Sequence, residues 1–179
     1  MHEAGFNFSV MVPDINEKQI RRANPREMVL AIAKAKAEAL LKHIQHAALL
    51  ITADQIVVCC HYVHEKPTSL AEAQLFLHRY AHYPAEVLTA VVVTDTLSRY
   101  TAELIDSSRI YFSSALEKKV ATLTEAEVAF GCAGGFQIEG NNWLNNYVER
   151  IEGTLDSIMG LPVKPTQQLL QQVLRFCGK

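Results

Sequence analysis

Asp54 lies inside residues 48–60, an apolar run rich in β-branched side chains that reads as a buried strand interrupted by polar residues. An ionised carboxylate is costly to bury without a partner. It is therefore either a strand-end aspartate that caps a turn or pairs with a lysine, or a general base or metal ligand at a cleft. Lys36 poses the same question from a helix. Val29, Ile32, Ala33, Leu40 and Ile44 recur with helical period, and their stripe passes through Lys36, whereas Lys34 and Lys42 point elsewhere. An ammonium there either snorkels from the apolar face or meets an anion such as a phosphate. Lys66, in the turn Glu65-Lys66-Pro67, reads by itself as a solvated loop lysine. Glu17 follows Val12-Pro13-Asp14-Ile15-Asn16, where Asp14 and Asn16 serve turns, and it reads as solvent-facing. In Cys132-Ala133-Gly134-Gly135-Phe136-Gln137-Ile138-Glu139-Gly140 the closely spaced glycines imply a close backbone approach to another element or to a ligand, although a tight turn alone would suffice.

Several other chemistries find no support. The chain has no Gly-rich phosphate loop with a trailing lysine, no nucleophile elbow and no histidine pair at metal spacing; the seven histidines read as scattered, and His61 and His64 lack matching partners. Cys59, Cys60, Cys132 and Cys177 fit no metal spacing, and the adjacent Cys59 and Cys60 are geometrically poor disulfide partners, so all four read as buried thiols. With 17 basic and 19 acidic residues the net charge of −2 argues against binding a nucleic acid polymer mainly through an overall basic surface. Any phosphate binding must be local. No apolar stretch reaches the length of a membrane span, and no positive segment leads into an apolar core near Met1, so a cytoplasmic location without membrane contact is the expectation.

The elements that must hold these residues alternate. A strand is expected over residues 7–12. Asn24-Pro25-Arg26-Glu27 supplies an N-cap, a proline at the first helical position and a glutamate placed for a capping box, predicting a helix to about residue 46. Ser69-Leu70-Ala71-Glu72 predicts a second helix to about residue 82, followed by strands over residues 86–94 and 109–112 around a loop or hairpin. Further helices are expected over residues 116–123, 143–150 and 166–176. The class is α/β with at least one antiparallel element, and 179 residues, 49% hydrophobic and 20% charged, bury an ample core as a single domain over residues 1–179.

The ordered set of motifs resembles the Maf, or septum-formation-inhibitor-like, nucleotide pyrophosphatase family. The resemblance covers residues 4–162 and rests on Val12-Pro13-Asp14-Ile15-Asn16-Glu17, Ala35-Lys36-Ala37, Ala53-Asp54-Gln55-Ile56-Val57-Val58 and Glu65-Lys66-Pro67. It continues through Ala133-Gly134-Gly135-Phe136 with Glu139-Gly140, Val148-Glu149-Arg150-Ile151-Glu152-Gly153 and Met159-Gly160-Leu161-Pro162. It implies an inosine-triphosphatase-like mixed sheet flanked by helices, with a central nucleotide cleft. The activity implied is hydrolysis of a nucleoside triphosphate to the monophosphate and pyrophosphate, with a divalent metal, magnesium or manganese, assisting water attack at the α-phosphorus.

Carried over position by position, the resemblance makes Asp54 the proton acceptor and a metal ligand, Glu17 a second acidic residue at the metal, and Lys36 and Lys66 phosphate-binding residues. Gln55 and Glu139 match its specificity positions and resemble the 7-methyl-GTP branch more than the thymidine and uridine triphosphate branch. A carboxylate at Glu139 accepts hydrogen bonds from a guanine edge or favours the positive charge of a methylated purine. The family pattern opens with a strand, a Ser-rich loop bearing an arginine, and a helix. This chain starts after them, so the expectations are a truncated domain, an unpaired sheet edge compatible with a homodimer, and reduced activity. The alternative reading is a catalytically impaired nucleotide-binding or regulatory homologue.

Overall fold

Asn24 opens the first helix, α1 (Pro25–Leu41), as its sequence motif leads one to expect: its side chain accepts a hydrogen bond from the amide of Arg26, and Pro25 follows it. The computed structural model describes residues 8–140 and 142–178. In α1 the side chains of Met28, Val29, Ile32, Ala33, Ala37 and Leu40 are buried at helical spacing. The helix ends short of residue 46 because the chain is captured by a different element. Thr96 donates from Oγ1 to the carbonyl of His46, accepts from the amide of Ala48 and gives its own amide to the Ala48 carbonyl, launching β1 (Leu49–Cys59). No strand forms over residues 8–12, where Val10 and Val12 are exposed, and Asn7 lies outside the described residues. An isolated extended segment has no ladder to stabilise it.

β2 (Tyr62–His64) returns antiparallel along the end of β1, pairing Val57 with His64 and Cys59 with Tyr62. The helix α2 (Leu70–Tyr80) begins at Ser69, whose hydroxyl accepts from the amide of Glu72; the Glu72 carboxylate in turn accepts from the amide and hydroxyl of Thr68. β3 (Ala85–Asp95) is buried along nearly all its length, and a hairpin turn joins it to β4 (Thr101–Phe112). Asp95 makes that turn by accepting from the amides of Leu97 and Ser98 and from the Ser98 hydroxyl. β4 reaches well beyond the expected residues 109–112. Its period-two burial puts Ala102, Ser108, Ile110 and Phe112 inside and Glu103, Ser107 and Arg109 outside, so Glu103, which read as loop, shares one strand face with Arg109.

Two short helices, α3 (Leu116–Val120) and α4 (Leu155–Ile158), flank β5 (Val148–Glu152). The helix expected over residues 143–150 is instead a 3₁₀ segment (Trp143–Tyr147) leading into β5, which pairs antiparallel with β4 at Ile110 with Ile151 and Tyr111 with Arg150. The Arg150 guanidinium lies 3.9 Å from the Tyr111 ring centroid, and this cross-strand contact stabilises an edge strand that helical periodicity misreads. α5 (Val163–Phe176) starts three residues earlier than expected. The sheet order is β2-β1-β3-β4-β5, all antiparallel, with short strands at both edges, and the class is the expected α/β.

The chain divides into two compact units: residues 1–54, 89–106 and 160–179 form one, and residues 55–88 and 107–159 the other. In the first, Leu169, Leu170 and Val173 of α5 cover Val91, Val93 and Ala102. In the second, Val57, Phe76, Leu77, Tyr80, Ile110 and Phe112 head a separate apolar cluster. Among the described residues no helix is long and apolar enough to cross a membrane.

Gly153, just after β5, has φ +107°, and a Cβ there would stand 2.1 Å from the Ser108 Oγ and 3.0 Å from the Ser108 Cα. Gly153→Ala is expected to cost about 3 kcal/mol or more, measured by urea denaturation, because backbone strain and a clash with strand backbone act together.

Candidate functional site

α1 and β1 are pinned together by one buried hydrogen bond. The Thr52 hydroxyl donates to the carbonyl of Ala33 at 2.8 Å. Asp54 is two residues along the strand from Thr52 and therefore on the same face, while Lys36 is three residues along the helix from Ala33 and on the same side. The pin thus sets one charged group opposite the other. The Lys36 Nζ lies 2.7 Å from the Asp54 Oδ1 and 2.9 Å from the Glu17 Oε1, the latter supplied by the 3₁₀ turn Glu17–Gln19. Its third contact, to the Ala53 carbonyl, is long at 3.4 Å. Of the expected site residues, the structure brings Glu17, Lys36 and Asp54 together. Lys36 does not snorkel, and Glu17 is not merely solvent-facing.

The triad is graded in exposure: the side chains of Asp54 and Lys36 are 10% and 16% exposed, and that of Glu17 is 47% exposed. Burial works against the Lys36 ammonium, but the hydrogen bonds and charges of Asp54 and Glu17 outweigh it and hold its pKa above the ordinary lysine value. Removing the lysine alone would leave Asp54 nearly buried beside Glu17 without this cation, the situation in which broken buried pairs cost about 3–5 kcal/mol. Lys34, two residues away, points elsewhere as expected and pairs with Glu103 at 2.8 Å.

The other unit holds Gln55, Lys66 and Glu139. The Gln55 side-chain amide donates to the carbonyls of Ser157 and Ile158 at 2.9 and 3.2 Å, tying β1 to the end of α4. Lys66 and Glu139 are exposed. The turn carrying Lys66 is joined to the glycine turn by the Gly134 amide, which donates to the Glu65 carbonyl at 3.1 Å. Gly134 has φ +73°, and a Cβ on it would lie 2.7 Å from Val57 Cγ2 and 2.9 Å from the Tyr80 hydroxyl, so its close approach is to other elements of the fold.

A polar chain that the sequence reading missed supports this turn. His64 is fully buried, stacked on Phe76 with ring centroids 4.1 Å apart. Arg79 Nη1 lies 2.9 Å from His64 Nε2, and since arginine only donates, Nε2 is the acceptor. Nδ1 then carries the proton and donates to the Tyr80 hydroxyl at 2.8 Å, which donates to the Gly134 carbonyl at 3.1 Å. His64 therefore has partners, contrary to expectation; they lie 15 and 16 residues further along the chain, and only the packing of β2 against α2 brings them into contact. Of the cysteines, Cys59 is buried, with its thiol pKa pushed up to about 12 by burial and by Cys60, while Cys60, Cys132 and Cys177 are only half-buried and all four are free.

The sequence model of the Maf-like protein family matches residues 1–173. The chain belongs to the Maf-like family. It is 31% identical over 178 residues to a 7-methyl-GTP pyrophosphatase of Dictyostelium discoideum, covering 96% of this chain and 89% of the relative. It is 28% identical over 172 residues to a dTTP/UTP pyrophosphatase of Vibrio vulnificus strain YJ016, covering 96% and 90%. A nucleoside triphosphate pyrophosphatase of a Synechococcus strain is 26% identical over 170 residues, covering 95% and 85%.

In this Maf-like chain the donor set at Lys36 suits a hard divalent cation. Asp54 and Glu17 turn carboxylate oxygens toward the same small space, both within 2.9 Å of one ammonium nitrogen, and oxygen ligands are what magnesium and manganese take.

Burial, then the Arg79 charge, lower the His64 pKa to about 4, with Glu72 acting in the opposite sense. The unfolded imidazole titrates near 6.5, so between these values the unfolded chain binds the extra proton. This contribution to stability is complete above about pH 6.5 and is lost as the pH falls toward 4. Thermal or urea unfolding from pH 7.5 to 5 should show a loss of roughly 2 kcal/mol that His64→Gln, less stable at neutral pH, does not show.

Proposed function

We propose that this chain is a nucleoside triphosphate pyrophosphatase, releasing a nucleoside monophosphate and pyrophosphate in the cytoplasm. The observation that carries the reading is membership of the Maf-like family together with relatives named as pyrophosphatases, each aligned over almost the whole chain. The Lys36 triad supports it independently, because phosphoryl chemistry is mainly positioning and charge stabilisation.

In this reading Asp54 accepts the proton of the attacking water. The water oxygen bonds to the α-phosphorus, the bond from that phosphorus to the bridging oxygen breaks, and pyrophosphate leaves with the electron pair. Lys36 orients Asp54 through its 2.7 Å bond and presents its least committed N–H to a phosphate oxygen, because two of its three donors are engaged at short range. Asp54 and Glu17 would hold magnesium or manganese, which when bound supplies positive charge to the phosphates. The family pattern also assigns phosphate binding to Lys66 and base selection to Gln55 and Glu139. The exposed carboxylate of Glu139 favours a 7-methylguanine base over uracil or thymine, since it complements a cationic ring.

Turnover of a nucleotide panel with magnesium or manganese, followed by pyrophosphate release, tests the proposal. Asp54→Asn is expected to lower kcat by about 10²–10⁴ with the fold retained, and 7-methyl-GTP is expected to be the best substrate of the panel. Lys36→Arg should keep the fold and lose most activity, whereas Lys36→Met should also lose stability. Nucleotide-dependent thermal stabilisation without product would select the non-catalytic binding reading. Unchanged turnover in Asp54→Asn would remove Asp54 from the mechanism.

A further inference from the structure

His78 and His82 stand four residues apart across the end of α2. The carbonyl of Arg79 accepts from the amides of both His82 and Tyr83, so the chain is still coiled at His82 and the two rings share one face, their centroids 5.2 Å apart. Glu117, in the first turn of α3, reaches toward both. Its Oε1 is 3.5 Å from His78 Nδ1 and its Oε2 is 3.6 Å from His82 Nε2. One ligand atom from each of the three residues falls within 4.8 Å of the others. The expectation of no histidine pair at metal spacing is therefore corrected: His78 and His82 stand at the i, i+4 spacing in the sequence, and only the third member, supplied by another helix, needs the structure to be found.

We propose that His78, His82 and Glu117 form a surface site for a transition-metal ion of the zinc class, bridging α2 and α3. The separations are the first argument. At 3.5 and 3.6 Å the nitrogens stand outside ordinary N–H···O hydrogen-bond length, so the arrangement is poorly explained as a pair of hydrogen bonds. A four-coordinate ion with bonds of about 2.0–2.1 Å has neighbouring ligand atoms about 3.3 Å apart; each imidazole nitrogen stands near that distance from a different oxygen of Glu117, and the three residues each offer a ligand atom within 4.8 Å of the others. The remaining adjustment is open to side chains that are about half exposed and free to turn.

The scaffold is the second argument. α2 and α3 are held together beneath the site by Phe76, Leu77, Leu116 and Val120 in one apolar cluster, and Gln74 donates to the Val120 carbonyl at 3.2 Å. The ligands therefore project from two fixed elements, which lowers the ordering cost of binding. The third argument is chemical. Two imidazoles and a carboxylate select zinc, cobalt or nickel over magnesium, leave a fourth position to water, and place the cation at a helix C-terminus, where positive charge is favoured. The site shares no residue with Glu17, Lys36 or Asp54. Bound metal would clamp the segment of α2 that carries Arg79 and Tyr80.

Cobalt(II) titration of the full chain, in the absence of nucleotide, tests the site by visible absorption. One equivalent should produce the intense bands of a four-coordinate nitrogen and oxygen environment. His78→Gln and His82→Gln should each weaken binding at least tenfold while leaving the circular dichroism spectrum unchanged. Zinc at about a hundredfold excess over its Kd should raise the Tm by about 5–10 °C in the unmodified chain and not in His82→Gln. Only the weak bands of a six-coordinate oxygen site, unaltered in His82→Gln, would overturn the proposal by placing the metal at carboxylates alone. So would thiolate charge-transfer bands in the near ultraviolet, or no binding at all.

Discussion

The ammonium of Lys36 holds two carboxylates that would otherwise repel each other, and the geometry around it depends on that balance. Its stem comes from the buried side of α1, its main partner from the interior of β1 and its second partner from a 3₁₀ turn near the start of the described chain. None of these three elements determines the others by chain proximity. The register between helix and strand rests on a neutral hydrogen bond from Thr52 to Ala33, formed where water is excluded and where a slip of one residue would turn Asp54 to the opposite face of the strand. The charged cluster adds little net stability of its own, since desolvation offsets most of its attraction. What it contributes is orientation: a carboxylate held in one place by a lysine at the rim of an apolar layer.

The parts of the fold marked by local chemistry were legible from the sequence. Asn24 and Ser69 announce helix starts because a cap needs only its own neighbours, and both act as caps in the structure. The anomalies at Asp54 and Lys36 were legible as well, since a charge in an apolar pattern is visible without coordinates. That the two residues answer each other was not legible, because their separation in sequence says nothing about registry. β4 and β5 were misread for opposite reasons. In β4 the exposed face carries Glu103, Ser107 and Arg109, which dilute the apolar signal, whereas in β5 Val148 and Ile151 stand three residues apart, a helical spacing that the register shift opposite Tyr111 and Phe112 permits in a strand.

The glycine turn shows how a sequence motif can have a structural cause. Ala133-Gly134-Gly135-Phe136 invites a reading in terms of ligand contact, yet Gly134 is enclosed by Val57 and Tyr80, and its carbonyl ends a chain of hydrogen bonds that begins at an arginine. The direction of that chain is forced, because guanidinium cannot accept. The turn is consequently fastened to α2, and through the Glu65 carbonyl it fastens the segment carrying Lys66. A lysine on an exposed turn thereby inherits order from a buried histidine that never touches it.

The division of the chain has a consequence for the order in which a ribosome can deliver it. Every residue of the unit containing His64 and Gly134 has been synthesised once residue 159 has emerged, so its apolar cluster can close while the remainder is still being made. The unit containing the Lys36 triad must wait for the last segment, because Leu169, Leu170 and Val173 of α5 supply the cover for Val91 and Val93. Until then those valines lack the cover of α5, on a strand whose β-branched composition favours pairing with another chain. The unit that holds Glu17, Lys36 and Asp54 is thus the one whose final segment is delivered after every residue of the other unit has been made.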